Sequence, residues 1–183
     1  MSYFLKIYEL ETERLYLRQW KESDKHPLYL INSNPEVMRY FPNLLTEEEN
    51  NAAVDRVRAH IETHGWGFWA VELKETGKLA GFVGLNIPTY ELPFSPCVEI
   101  GWRLSPEYWG KGYATEAGKT CLEFAFGTLN LNEIVSFTSV LNTPSEAVMK
   151  RLGMKNANAN FFNPVVPKES PLSEHVLYKV EKG

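Results

Sequence analysis

Residues 98–117 constrain the fold more than any other segment. Val98, Ile100, Trp102 and Leu104 alternate with Glu99, Gly101 and Arg103, the period-two pattern of a strand with one apolar face. Gly110-Lys111-Gly112 follows, and from about Ala114 the pattern turns helical, with Ala117, Cys121, Leu122, Ala125 and Leu129 on one stripe. A strand, a glycine loop and a helix in that order build an anion site. The first N–H groups of a helix have no internal partner and lie at the positive end of its dipole, while glycines let a ligand approach the main chain. Lys111 adds a point charge. A Gly-x-Gly also serves ordinary turns, so a purely structural loop stays open. The spacing is neither G-x-G-x-x-G nor a Walker A, which disfavours dinucleotide-fold and P-loop readings.

The rest of the chain supplies a sheet and helices around this unit. A first strand is expected over residues 14–20, where Leu15 and Leu17 alternate with Arg14, Tyr16 and Arg18. Ser23 or Asp24 can cap a short helix with Pro27 in its first turn, and Asn34-Pro35 ends it and starts a second helical piece through Met38. Thr46 and Glu49 form a T-x-x-E capping box ahead of Ala53, Val54, Val57 and Ile61, with Gly65 closing that helix. Residues 67–73 and 79–87 read as an antiparallel hairpin turning at Gly77, and residues 133–140 as a strand. A short helix over 145–152 ends at Gly153, and closing strands fall near 156–162 and 176–180, with a turn or irregular strand over 156–160. The Pro-containing stretches 86–96 and 163–171 read as surface loops, and no fixed-period repeat occurs. The expected fold is α/β of the α+β kind: one domain over residues 1–183, a mixed, mostly antiparallel sheet of about six or seven strands, and flanking helices.

Composition narrows the function classes. The 183 residues carry a net charge of −4, against a general nucleic-acid binder that must neutralise many phosphates. Residues 1–10 lack the basic and apolar regions of a signal peptide, and no apolar run approaches the roughly 20 residues of a bilayer span. The two cysteines, Cys97 and Cys121, fit neither a CxxC motif nor a disulfide framework, and read as buried thiols in a reducing cytoplasm. A cytoplasmic protein with no nucleic-acid or membrane partner, monomeric or homodimeric, is the expectation.

Taken with Asn142-Thr143-Pro144-Ser145 and the run through Arg151-Leu152-Gly153-Met154, the 98–117 segment resembles the GNAT acetyltransferases. The resemblance is closest to the branch that acetylates ribosomal-protein N-termini, and covers nearly the whole chain. Residues 10–15 look like that branch's first strand and residues 175–178 like its last. The family holds the pyrophosphate of acetyl-CoA on the main-chain amides of a Q/R-x-x-G-x-G/A loop, matched here by Glu107-Tyr108-Trp109-Gly110-Lys111-Gly112. Glu107 departs from the usual Gln or Arg, and the implied cradle is main chain: Trp109, Gly110, Lys111, Gly112, Tyr113, Ala114 and Thr115. The resemblance also implies that the strand of Trp102, Arg103 and Leu104 splays from residues 133–140. Pantetheine would then add to the backbone of 102–104 as a pseudo-strand, and an N–H there could polarise the thioester carbonyl.

It further implies acetyl transfer from acetyl-CoA to a primary amine, with CoA as product. An amine attacking a thioester needs a route for its proton and one to the leaving thiolate. Glu99, opposite Ile100 and Trp102 on the strand, is the base candidate, directly or through water; its alternative is an acid that bonds loop amides or pairs with an arginine. Ser145 matches the family's N-x-x-S serine, a general acid toward sulfur, and can equally be a helix N-cap. Asn142 would bond the pantetheine arm or simply shape its loop. Tyr40, Phe41, Trp66, Glu91 and Phe94 are candidates for the acceptor pocket. Neither cysteine sits in a motif for an acyl-enzyme, so direct attack in a ternary complex is expected. The acceptor is first a peptide N-terminus, as in ribosomal proteins, then a polyamine, amino acid or antibiotic amine. A non-catalytic acyl-CoA-binding module is the rival from another class.

His60 and His64 stand at i and i+4, but Glu62 occupies the wrong position for H-E-x-x-H and no clear third ligand follows. No metal site is expected. His26 and His175 have no partner nearby in sequence.

Overall fold

The computed structural model describes residues 5–183; the first four residues of the 1–10 segment lie outside that range. In chain order the elements are β1 (Leu10–Glu11), β2 (Leu15–Arg18), α1 (Lys25–Asn32), α2 (Glu47–His64), β3 (Phe68–Leu73), β4 (Leu79–Asn86) and β5 (Glu99–Leu104). There follow α3 (Tyr113–Gly127), β6 (Glu133–Ser139), α4 (Thr143–Arg151), β7 (Lys155–Asn156), β8 (Phe161–Phe162) and β9 (Glu174–Glu181). The strands make one sheet in the order β1-β2-β3-β4-β5-β6-β9-β7, with β8 also on β9. Every pairing is antiparallel except β5 with β6. The sheet has nine strands against the six or seven expected, and the excess lies in β1, β7 and β8, each only two residues long. Such segments bury too few alternating residues to register as a period.

Local chemistry explains most boundaries. The Thr46 hydroxyl accepts from the Glu49 N–H and the Glu49 carboxylate accepts from the Thr46 N–H, so α2 starts on a complete capping box. It stops at Gly65, whose left-handed φ of 82° suits glycine. Two expectations fail. Asp24 does not cap α1; its carboxylate accepts two bonds from the Arg18 guanidinium, at 2.7 and 2.9 Å, and one from the Lys21 N–H. Charge-assisted pairing outcompetes capping at that position. Residues 35–40 form turns rather than a helix. The turn expected over 156–160 is present, with Asn158 at φ 51°, and it divides the closing strand near 156–162 into β7 and β8.

The core is built on the face of the sheet that carries α3. Trp69, fully buried on β3, meets Phe124 of α3 edge-on at 5.6 Å, and Leu15, Leu17, Val83, Leu85 and Ile100 are buried with it. Helices α1 and α2 cover the opposite face, where Asn32 of α1 reaches Arg103 of β5. A smaller cluster of Leu92, Val135, Phe161 and Leu177 forms beyond β6.

Candidate active site

Strands β5 and β6 start side by side and then part. Their ladder consists of the single register pair Glu99–Val135, supported by the Val135 N–H donating to the Val98 carbonyl at 3.0 Å and the Ser136 hydroxyl donating to the Ile100 carbonyl at 3.0 Å. Because the carbonyls of 98 and 100 face β6, strand alternation turns the peptide groups of Trp102 and the N–H of Leu104 toward the same gap. The Leu104 carbonyl is taken by the Trp109 indole N–H at 2.9 Å. Arg103 does not share this edge: it sits opposite Phe82 in the β4 register, and its side chain goes to the α1 face. Of the three residues expected to line the gap through their backbone, two do.

At the end of β5 the chain turns through residues 106–108 into the glycine loop. Gly110 and Gly112 have φ of 71° and 79°, a region closed to most side chains, and Gly112 is the N-cap of α3 without a side-chain cap. A Cβ on Gly110 would meet nothing within 4 Å, and one on Gly112 only Arg14 Nη2 at 3.6 Å, so the space above the loop is open. The N–H groups of Tyr113, Ala114 and Thr115 point out of the first turn of a 15-residue helix. This open, donor-lined cradle fits a pyrophosphate.

Arg14, nearly a hundred residues earlier, braces the cradle. Its Nη2 donates to the Lys111 carbonyl and its Nε to Glu116, both at 2.9 Å, while the guanidinium lies 4.2 Å from the Tyr113 ring centre. Thr12 donates to the other Glu116 oxygen at 2.7 Å. Burial works to raise the Glu116 pKa, but these bonds outweigh it and hold the carboxyl below its usual range. Arg151 adds a cation at the rim, with Nε 3.3 Å from the Thr115 hydroxyl. Neither arginine was visible as a loop contact in the sequence, because long-range side-chain contacts leave no periodic trace.

On the opposite face, the β4–β5 register builds a partly open strip. Asn86 pairs with Glu99, Gly84 with Gly101 and Phe82 with Arg103. Asn86 Nδ2 donates to Glu99 Oε1 at 2.9 Å; no arginine pairs with this carboxylate, and it bonds no loop amide among the described residues. Burial pushes the Glu99 pKa up to about 7, slightly opposed by the Asn86 bond. The glycine pair leaves room that the Phe68 ring fills, 3.1 Å from where a Gly101 Cβ would stand. At the far end Arg103 donates to Asn32 at 2.8 Å, and its guanidinium lies 4.3 Å from Phe41 and 5.2 Å from Phe82. Burial lowers its pKa to about 10.

The other candidates are placed as follows. Asn142 caps α4, its Oδ1 accepting from the Ser145 N–H at 3.2 Å while its Nδ2 donates to Thr138 at 2.9 Å. Ser145 is therefore not the cap, and its hydroxyl bonds nothing among the described residues. Phe41 stacks on Arg103, and Tyr40 lies beside it with Arg39 5.5 Å from its ring. Trp66 is buried in the main core against His60 and His64, and Phe94 belongs to the smaller cluster against Phe137 and Phe161, so both pack rather than line the strip. Glu91 is exposed on the 87–98 loop. Cys121 is wholly buried and burial raises its pKa; Cys97 is pushed up to about 11, mainly by burial.

Residues 14–155 match the acetyltransferase (GNAT) domain family. The chain belongs to the GNAT acetyltransferases. It is 31% identical over 172 residues to an uncharacterized N-acetyltransferase, YnaD, of Bacillus subtilis, covering 93% of this chain and 95% of that protein. The crystal structure of a GNAT-family acetyltransferase from Bacillus anthracis superposes with a TM-score of 0.78 at 25% identity, covering 96% of this chain and 99% of that one. The ribosomal-protein-S5-alanine acetyltransferase of Vibrio fischeri shares the fold, with a TM-score of 0.73 at 21% identity over 96% and 97% of the two chains. This GNAT protein is an N-acetyltransferase using acetyl-CoA.

Proposed function

We propose that this acetyltransferase acts on the amino terminus of a peptide or protein, by direct attack of the neutral amine in a ternary complex. The observation that carries the reading is the strip on β4 and β5. It offers one carboxylate with a pKa of about 7, an aromatic floor and one cation, Arg103. A polyamine, with a positive charge every few bonds, would meet that cation without a second carboxylate to balance it. A peptide brings one amine and an extended backbone.

In this reading Glu99 accepts the ammonium proton, directly or through water. A base with a pKa near 7 is half ionised at neutral pH and needs little driving force. The Trp102 peptide groups and the Leu104 N–H hold the pantetheine arm along the gap, and the N–H groups of residues 110–115 hold the pyrophosphate, with Arg14 fixing the loop. Acetyl-CoA, when bound, supplies an acetyl thioester already activated for acyl transfer. The free Ser145 hydroxyl delivers a proton to the departing sulfur. Asn142 serves it by capping α4 and setting the Ser145 position. Neither cysteine supplies an acyl-enzyme, since a raised thiol pKa removes the nucleophilic thiolate.

The test is thiol release from acetyl-CoA with short peptides bearing free amino termini, beside their N-blocked forms, spermidine and free amino acids. Ribosomal-protein N-terminal sequences are the first peptides to try. Release that needs the free peptide terminus supports the reading. Faster turnover of spermidine contradicts it, and CoA binding without release for any amine makes the protein an acyl-CoA-binding module.

A further inference from the structure

Arg103 is a desolvated cation without a counter-ion. Its Nη1 donates to Asn32 Oδ1 at 2.8 Å, and Asn32 is itself held by Nδ2 donating to Asn50 Oδ1 at 2.9 Å. Its Nε is buried with no partner. Nη2 bonds to no described residue either, yet it is not sealed from solvent as Nε is. Among the described residues no carboxylate pairs with Arg103, whereas Arg14 holds Glu116 at 2.9 Å and Arg18 holds Asp24 at 2.7 Å and Glu72 at 2.6 Å. Nη2, the unpartnered nitrogen that is not sealed, is positioned to donate a charge-assisted bond to an oxygen of an incoming carboxylate. Folding thus leaves a guanidinium donor unused and its charge unpaired in a partly buried position, an arrangement that folding stability alone does not favour.

The position of that donor says which carboxylate would use it. Glu99 and Arg103 are four residues apart on β5 and share a face, so their Cα atoms are separated by about 13 Å. Between them lies the Phe68 ring over Gly101, flanked by Phe82, with Phe41 over the guanidinium. No side chain at residue 101 interrupts the strip. With an amine at Glu99, a carboxylate on Arg103 lies on the order of 6–10 Å further along, two to three residues of extended chain. The α-carboxylate of a single amino acid is too close to its own amine to bridge that span.

We infer that the acceptor carries a carboxylate at its second or third residue, and that Arg103 selects it. The inference rests on the peptide reading above and adds a specificity to it. The same carboxylate can be an Asp or Glu side chain, or the C-terminus of a di- or tripeptide.

Both sources are tested by kcat/KM on matched peptides. One series is C-terminally amidated hexapeptides with Asp or Asn at position two or three; the other is tripeptides with a free or amidated C-terminus. The wild-type protein is expected to prefer the acidic member of at least one pair by tenfold or more. In Arg103→Gln the ratio should fall to within twofold, and in Arg103→Lys, which keeps charge but not the guanidinium, to an intermediate value. Both variants are checked for a wild-type melting profile and acetyl-CoA affinity, and the ratio is read within each protein, so a general loss of activity does not imitate the effect. A wild-type ratio within twofold in every pair, with peptides turned over, overturns the inference alone. A preference that survives in Arg103→Gln overturns it too. No turnover of any peptide overturns the peptide reading and this inference with it.

Discussion

Replacing Glu99 by Gln should make the protein more stable at alkaline pH while impairing its chemistry. In the folded protein the carboxyl ionises at about 7, against 4.5 for an ordinary glutamate, because burial penalises the charge more than the Asn86 bond favours it. Between those two values the folded state holds a proton that the unfolded chain has released, so stability falls as pH rises from 4.5 to 7. The full difference corresponds to about 3 kcal/mol, present as destabilisation above pH 7 and absent below pH 4.5. Glutamine keeps an oxygen for Asn86 Nδ2 and never ionises. Urea denaturation at pH 5 and pH 8 should show Glu99→Gln more stable than wild type by about 2–3 kcal/mol at pH 8, with little difference at pH 5. The pH profile of kcat/KM should lose the inflection near 7 that the wild type shows. A variant equally or less stable at pH 8 would refute the burial argument, and an unchanged pH profile would remove Glu99 as the titrating base.

Other outcomes follow from the cradle and from α4. Gly112→Trp should abolish measurable acetyl-CoA binding, because its side chain fills the space above the loop, while circular dichroism reports a folded protein; retained affinity would move the phosphate site elsewhere. Arg14→Ala should weaken acetyl-CoA about five- to tenfold by freeing the loop, and cost under about 1 kcal/mol of stability since its ion pair is partly exposed; calorimetry and thermal melts read the two effects. Ser145→Ala should lower kcat tenfold or more with stability and cofactor affinity nearly unchanged. Asn142→Ala should lose about 1 kcal/mol of stability through the missing cap, seen in denaturant unfolding.

What could be read from sequence depended on how local the causes were. The capping box at Thr46 and Glu49, the Gly65 stop and the alternation of 98–104 depend on neighbours a few residues away, and β5, α2 and α3 formed where those patterns lay. The Asn142 cap of α4 has a local cause as well: an Asn stands just ahead of a first turn that holds Pro144. Asp24 departs from the cap expectation because its pairing with Arg18 depends on two elements folding together. The Arg14 brace, the pairing of Arg103 with Asn32 and the departure of Phe94 into a second cluster are contacts across the sheet that no spacing rule reports. Conversely, the early parting of β5 from β6 was implied by family likeness, and it rests in the structure on a ladder one residue pair long.

The most direct test of the cradle and gap as a working acetyl-CoA site is calorimetry on the purified protein with acetyl-CoA, CoA and ATP. Binding of acetyl-CoA and CoA, with ATP much weaker, is the predicted result, since the gap along β5 engages the pantetheine arm that ATP lacks. Equal binding of all three, or no binding of either CoA ligand, would contradict it and return the Gly110 to Gly112 loop to a structural turn.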